Sequence, residues 1–409
     1  MAHADQAVAT APVSFLQQLK RLRQRDSGLL PILVGLLALV IFFQIRSSVF
    51  LSAANVTNLF VQSTIFVLLG MAEIWLLLMG DIDLSIGFAA GLSGAIGVIL
   101  VSSNYRWPWF LALPFAILVT TAIGAMNGFF VIRFKLPSFI VTLATYLALE
   151  GVVLYVINAQ GTGGSVSVQE KVLYDLVNGN LTPFATWVFV IAVVLLLSFT
   201  MVRADRKRKT SGLASRPLWT TVVKIAFFAV TGLLLVLVFN TNRSPFGKLN
   251  GMPFAIPIDL AVLAAGTLIL TKTKAGRYIY AIGGNVEAAR RAGVNVNRYR
   301  ILGFMLAGTT AGIAGLLYAS RLNGISTGIE GGTYVLYAVA AAVIGGTSLF
   351  GGRGKMIHAV LGGLVIGTID NGMSLLNLSA ATQYIATAVV LMAAVIVDSL
   401  ARRGSTATR

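Results

Sequence analysis

The stretch Gly80-Asp81-Ile82-Asp83-Leu84-Ser85-Ile86-Gly87 decides how the rest of this 409-residue chain is read. It lies between two apolar runs, Phe60 to Met79 and Phe88 to Val101, and puts two carboxylates into an otherwise continuous hydrophobic sequence. A carboxylate at membrane depth is costly and faces protein or water, never lipid. The flanking glycines permit a broken helix, and irregular backbone inside a membrane is tolerated only where protein buries it or where it lines a cavity. The break is expected to line a polar path whose walls are the other helices.

Composition sets the class. Hydrophobic residues make up 57% of the chain and charged residues 11%, against roughly 25% charged in soluble domains. The 42 glycines suit helices packed closely in a membrane. Cysteine is absent, which excludes disulfides, thiolate metal sites and cysteine catalysis. With only His3 and His358, a histidine-based metal site is all but excluded. No metal and no cofactor are expected.

Working outward from the break, apolar segments fall near 29–45, 60–79, 86–101, 109–132, 138–157, 184–202, 219–239, 258–270, 301–319, 334–345, 357–376 and 384–397. The expected fold is an all-α polytopic membrane protein of about 12 apolar segments. Several are shorter than the roughly 20 residues of a standard span, which points to broken or tilted helices. A second glycine-rich break, Gly345-Gly346-Thr347-Ser348-Leu349-Phe350-Gly351-Gly352, faintly echoes the first. Breaks at corresponding places in two halves of a transporter point to the binding site.

The net charge of +17 raises nucleic acid as a partner, and its distribution argues against that. With a cytoplasmic N-terminus, Lys and Arg concentrate on the inner loops, the positive-inside pattern, and both ends are cytoplasmic. Residues 1–28 read as a cytoplasmic arm ending in Lys20, Arg21, Arg23 and Arg25, without a small-residue cleavage site, so the first helix is retained. Residues 29–400 form the transmembrane domain, and 401–409 form a cytoplasmic tail. The pair of spans at 184–239 is nearly free of internal polar groups and looks peripheral. Its basic cluster, Arg203, Arg206, Lys207, Arg208, Lys209 and Arg216, is a topology anchor that touches anionic membrane lipid.

Several polar residues carry two readings each. Glu73 is either a neutral or helix-bonded group, or part of the path. Asn127 hydrogen-bonds either a neighbouring helix or a substrate hydroxyl. Asn55-Val56-Thr57-Asn58 reads as a short outer turn, and Asp370-Asn371-Gly372-Met373 lies near the end of a late span. In the largest cytoplasmic loop, 271–300, Asn285 is placed to cap a short helix with Glu287 in its first turn, and Gly293 to end it. Such a helix is too short to be stable alone, so it is either a partner surface or a solvated positive-inside loop. No P-loop occurs, since Gly351 to Lys355 lacks its spacing and hydroxyl, and no His-Glu-x-x-His occurs. A transported solute fits better than an enzyme.

The ordered motifs Gly80 to Gly87, Asn127-Gly128, Phe139-Ile140-Val141-Thr142-Leu143, Ala281-Ile282-Gly283-Gly284-Asn285 through Gly293, and Gly345 to Gly352 resemble the permease subunits of bacterial ABC importers for monosaccharides. This is the ribose, xylose and galactose group, and the resemblance covers about 50 to 400. The extra pair at 184–239, added to a ten-helix family core, is similar to the longer xylose-type or multiple-monosaccharide members. The resemblance implies a homodimeric inner-membrane pore, a separate ATPase on the cytoplasmic loops and a periplasmic sugar-binding protein. It implies that Gly284, Asn285, Glu287, Ala288, Ala289, Arg290, Arg291 and Gly293 couple to the ATPase. Candidates for the path or gate are Asp81, Asp83, Ser85, Asn127, Thr347, Ser348 and Asn371. Asp81 and Asp83 are read as either structural or substrate-contacting. Where many members carry an acidic pair before Gly-Gly-Thr-Ser, this chain has Val335 and Tyr337, and Ala388 stands where the last span often has glycine. The rivals are a secondary transporter, with Glu73, Asp81, Asp83 or Glu150 carrying an ion, and a passive channel subunit.

Overall fold

The computed structural model describes residues 29–211, 217–389 and 392. The readings placed on Lys20, Arg21, Arg23, Arg25, Arg216 and the 401–409 tail lie outside the described residues. Helices dominate: α1 (Leu29–Arg46), α2 (Ala53–Leu77), α3 (Ile86–Val101), α4 (Trp109–Arg133), α5 (Ser138–Asn158) and the short α6 (Lys171–Asn178). They continue with α7 (Pro183–Thr210), α8 (Leu218–Asn240), α9 (Ala255–Lys272), α10 (Lys274–Gly284), α11 (Val286–Arg291) and α12 (Val296–Arg321). After α13 (Gly331–Ile344) and α14 (Met356–Leu375), a further helix is described over 380–389. Two three-residue strands, β1 (Ser165–Ser167) and β2 (Gly324–Ser326), pair antiparallel. Among the described residues, eight helices are long and apolar enough to cross a membrane.

Local chemistry sets the ends. Prolines 108, 137 and 217 immediately precede α4, α5 and α8, and Pro183 opens α7, where a missing N–H costs nothing. Asn285 caps α11 by accepting the Ala288 N–H at 2.9 Å, and Asn295 caps α12 by accepting the Arg298 N–H at 3.1 Å. Gly293 follows α11 at φ +80°, the left-handed conformation that ends helices.

One stretch expected as a turn lies inside a helix, and a polar stretch expected near the end of a span is helical as well. Asn55 to Asn58 form the first turns of α2, because Ser52 caps that helix and the Asn55 amide donates to Phe50 O at 2.8 Å and Asn371 Oδ1 at 2.9 Å. Asp370 to Met373 are likewise within α14, where hydrogen bonds to α2 accommodate the polar pair.

α2 is the most buried of the long apolar helices, and α12, α13, α14 and α9 pack along it. α12 also packs on α3 and α4. α7 and α8 pack mainly on each other and bury little. α3 and α13 have 16 and 14 residues, so they are about 24 and 21 Å long, shorter than a bilayer's ~30 Å core. Their starting ends meet, since a Cβ at Gly87 would lie 2.0 Å from the Gly331 carbonyl oxygen. Only glycine permits that approach. The chain between α2 and α3 is therefore non-helical and buried against α5.

Candidate functional site

The first break is held by the helices beside it. Its backbone climbs along α5: the Ile82 N–H donates to Ser138 Oγ at 3.2 Å, and the Leu84 N–H donates to Thr142 Oγ1 at 3.0 Å, one turn further on. Asp83 turns inward, 2% exposed, and its Oδ1 accepts the Ser85 N–H at 2.8 Å and the Ser85 hydroxyl at 2.5 Å. The Asn127 amide then donates to Ser85 Oγ at 3.1 Å and accepts the Thr145 hydroxyl at 2.6 Å. The Asp83 N–H donates to Glu73 Oε1 at 3.3 Å, and Glu73 Oε2 is buried without a partner. This network replaces the helical hydrogen bonds the break gives up, which bilayer hydrocarbon cannot supply. Asp81 faces the other way and forms a two-pronged pair with Arg300, near the start of α12: Nε donates to Oδ2 at 2.8 Å, and Nη2 reaches Oδ1. The fork geometry fixes orientation as well as charge.

The second break closes against the first. The Gly352 N–H donates to Leu78 O at 2.9 Å, and the Ser348 N–H donates to Arg353 O at 2.8 Å. Thr347 is fully buried and shares a hydrogen bond with His358 Nδ1 at 3.2 Å. Ser348 Oγ accepts the Phe350 N–H at 3.1 Å. Between the two breaks sits the end of α10. A Cβ at Gly283 would stand 1.7 Å from Leu78 O and 2.5 Å from Gly352 N, so two backbones cross there with no room for a side chain. The Tyr280 hydroxyl adds a bond to Gly354 O at 2.7 Å. One corner thus contains both breaks, α10 and, through Arg300, α12.

The expected site residues fall into three groups. Asp81, Asp83, Ser85 and Asn127 come together at the first break, and Thr347 and Ser348 join them across the corner. Asn371 lies at the opposite end of the bundle, where its amide donates to Gln62 Oε1 at 3.3 Å. In the 284–293 segment, Gly284, Asn285, Glu287, Ala288, Arg290, Arg291 and Gly293 are exposed, and Glu287 pairs with Arg290. Ala289 points inward and is buried with Val296 and Ile282. Among the described residues, no group of three or more acidic or histidine side chains is placed to hold a metal. The Gly324-Ile325-Ser326-Thr327-Gly328 spacing matches a serine-hydrolase elbow, but Ser326 lies on β2 opposite Ser165 of β1, and His358 is engaged by Thr347. Three polar residues around Asn371 escaped the reading by motif: Gln62, Arg321 and Asp370. The signal for Asp370 was present, because it is a charge inside an apolar span.

A protein-family profile described as branched-chain amino acid transport system / permease component matches residues 55–397. The xylose transport system permease protein XylH of Escherichia coli (strain K12) is 35% identical over 380 residues, covering 91% of this chain and 92% of XylH. The ribose import permease protein RbsC of Haemophilus influenzae is 31% identical, covering 89% of this chain and 91% of its own. The D-allose transport system permease protein AlsC of Escherichia coli (strain K12) is 30% identical, covering 88% of each. No solved structure matches. With a profile spanning both breaks and the corner, and relatives aligned along nearly their whole length, the chain belongs to the family of transport-system permeases that includes the xylose, ribose and allose proteins.

Proposed function

We propose that this chain is the membrane-spanning subunit of an ATP-driven monosaccharide importer in a bacterial inner membrane, with D-xylose or a related sugar as cargo. It is a permease and not an enzyme; ATP hydrolysis belongs to a separate subunit. The chain works with an ABC-type ATPase on the 284–293 face, a periplasmic sugar-binding protein and a second permease copy. Both termini are cytoplasmic, so the end of the bundle that carries the breaks faces the ATPase. Similarity to XylH favours xylose, and the ribose and allose relatives keep the wider class open.

The observation that carries this reading is the corner at Gly283. A short capped helix with an exposed charged face is joined through α10 to both helix breaks. A push on such a helix reaches the path without passing through a flexible loop. Asp81 and Asp83, the first candidates for ion coupling, are engaged by Arg300 and by Ser85. The rival ion-coupled reading keeps two buried carboxylate oxygens without a partner, Oε2 of Glu73 and Oδ1 of Asp259.

The test is co-purification in mild detergent followed by uptake. The native chain is expected to bring down a P-loop ATPase, and Ala288→Arg, on the exposed face of α11, is expected to lose it. A chain that purifies alone and carries sugar only while an ion gradient stands sinks the importer reading.

A further inference from the structure

The half of the bundle away from the breaks contains a cluster of polar and aromatic side chains that the coupling corner does not use. Asp370 of α14 is half-buried there, and its Oδ2 accepts from the Gln62 amide of α2. Arg321, the last residue of α12, lies within electrostatic reach of Asp370, Tyr318 and Tyr334. Arginine and aspartate do not close on each other: the ion pairs among the described residues are Arg290–Glu287 and Arg300–Asp81. Instead, the Nη1 of Arg321 is buried without a hydrogen-bond partner.

Aromatic rings pack in the same region. Tyr318 and Tyr334 meet edge to face with centroids 5.2 Å apart, and Phe66 meets Tyr337 at 5.3 Å, also edge to face. Nearby, the Tyr384 hydroxyl donates to the exposed Glu330 at 3.2 Å.

A buried guanidinium N–H left unpaired is costly, so a ligand that accepts from it is favoured. The ligand chemistry follows from the pair. A lone cation is repelled by Arg321 and a lone anion by Asp370; of the ligands that suit both, a zwitterion or a neutral polyol, the sugar-permease relatives favour the polyol, whose hydroxyls accept from the first and donate to the second. Ring C–H faces rest on tyrosine and phenylalanine, the mix of apolar wall and few polar groups expected of a ligand site.

We propose that a chamber opens at this cluster and that the translocated sugar touches the permease there, with ring hydroxyls bridging Arg321 and Asp370 and with Tyr334 and Tyr337 against the ring. This rests on the monosaccharide reading above and names its contact site. The bonds are few, so affinity is weak, in the millimolar range of about −4 kcal/mol, which lets cargo leave.

The test uses two readouts. In proteoliposomes containing the permease, its ATPase and its binding protein, labelled D-xylose, D-ribose and D-allose are measured per ATP hydrolysed. Arg321→Gln and Asp370→Asn are each expected to lower that ratio about tenfold, the effect of one lost charged hydrogen bond. The chain has no cysteine, so Tyr384→Cys places a single thiol beside the chamber, at an exposed position, while every proposed sugar contact stays native. Its labelling by a membrane-impermeant methanethiosulfonate is expected to slow in the presence of the carried sugar at millimolar concentration, and not with mannitol. Wild-type complex that carries none of the three sugars overturns the monosaccharide reading, and this inference with it. Wild-type that carries sugar, with both variants keeping their sugar-to-ATP ratio or with labelling indifferent to sugar, overturns the chamber alone. If a variant fails to assemble, the labelling result decides.

Discussion

Gly283→Ala tests the corner directly. The added Cβ would lie 1.7 Å from Leu78 O and 2.5 Å from Gly352 N, both backbone atoms with no rotamer to change. Ordinary contact needs roughly 3.5 Å, so the Leu78 carbonyl must retreat by about 2 Å or α10 must lift away. Either movement breaks the 2.9 Å bond from Gly352 N–H to Leu78 O. Overpacking costs about 1–3 kcal/mol and the bond about 1 kcal/mol, together about 2–4 kcal/mol. That is roughly 30- to 1,000-fold in an equilibrium constant. The next residue supplies the control, because a Cβ at Gly284 meets nothing within 4 Å. Thermal unfolding in detergent and sugar carried per ATP in proteoliposomes read the two consequences. Gly283→Ala is expected to lose stability and to hydrolyse ATP with little transport, while Gly284→Ala unfolds like wild type. Equal stability of the two variants, with unchanged coupling in both, refutes a close-packed corner.

Arg300→Gln leaves Asp81, 2% exposed, without its cation; because Arg300 keeps part of its side chain in solvent, the expected loss is about 1–3 kcal/mol rather than a fully buried pair's 3–5. Adding Asp81→Asn should return much of it, and additive losses in the double variant count against the pair. Asn127→Leu strips partners from Ser85 and Thr145 and is expected to cost about 2–4 kcal/mol in thermal or chemical unfolding; an unchanged midpoint shows that the network does not hold the break. Glu73→Gln keeps an acceptor for the Asp83 N–H and is expected to retain ATP-driven uptake; uptake abolished in a folded, ATPase-bound variant returns Glu73 to the ion-coupled reading.

The class of fold and the position of both breaks were legible because they are compositional: a carboxylate pair and clustered glycines inside apolar runs. The caps at Asn285 and Gly293 were legible for the same local reason. What could not be read was which distant residues meet. Asp81 and Arg300 are 219 positions apart, and no periodicity links a break in one half of the chain to an arginine in the other. Gly283 gave no local hint that it sits beneath two other backbones, since one glycine in a Gly-Gly pair looks like its neighbour until their surroundings are known. Asn55 to Asn58 looked like a turn because polarity was visible and its partner Asn371 was not. Arg321 and Asp370 are charges at or within apolar spans, yet their coming near each other depends on how α12 and α14 both pack along α2. Asn371 was therefore grouped with a break whose opposite end it occupies.

The corner and the chamber share their helices, and this bears on how one would control the other under the proposed function. α12 has 26 residues, about 39 Å of continuous helix, with Arg300 near one end and Arg321 at the other. α13, which carries Tyr334 and Tyr337, runs into the second break at Gly345, and α14, which carries Asp370, leaves that break at Met356. All three helices are tied to Gly283, Leu78 or Asp81 at the same place. Packed helices translate and tilt as units and do not stretch, so a displacement of α10 and α11 moves Arg321 along one lever and Asp370 along another. The quantity that changes is the width of the gap between them. An open gap admits a polyol, whereas a gap closed into an Arg321–Asp370 ion pair satisfies both charges without one and expels it. The same two residues would then serve as contact and as gate.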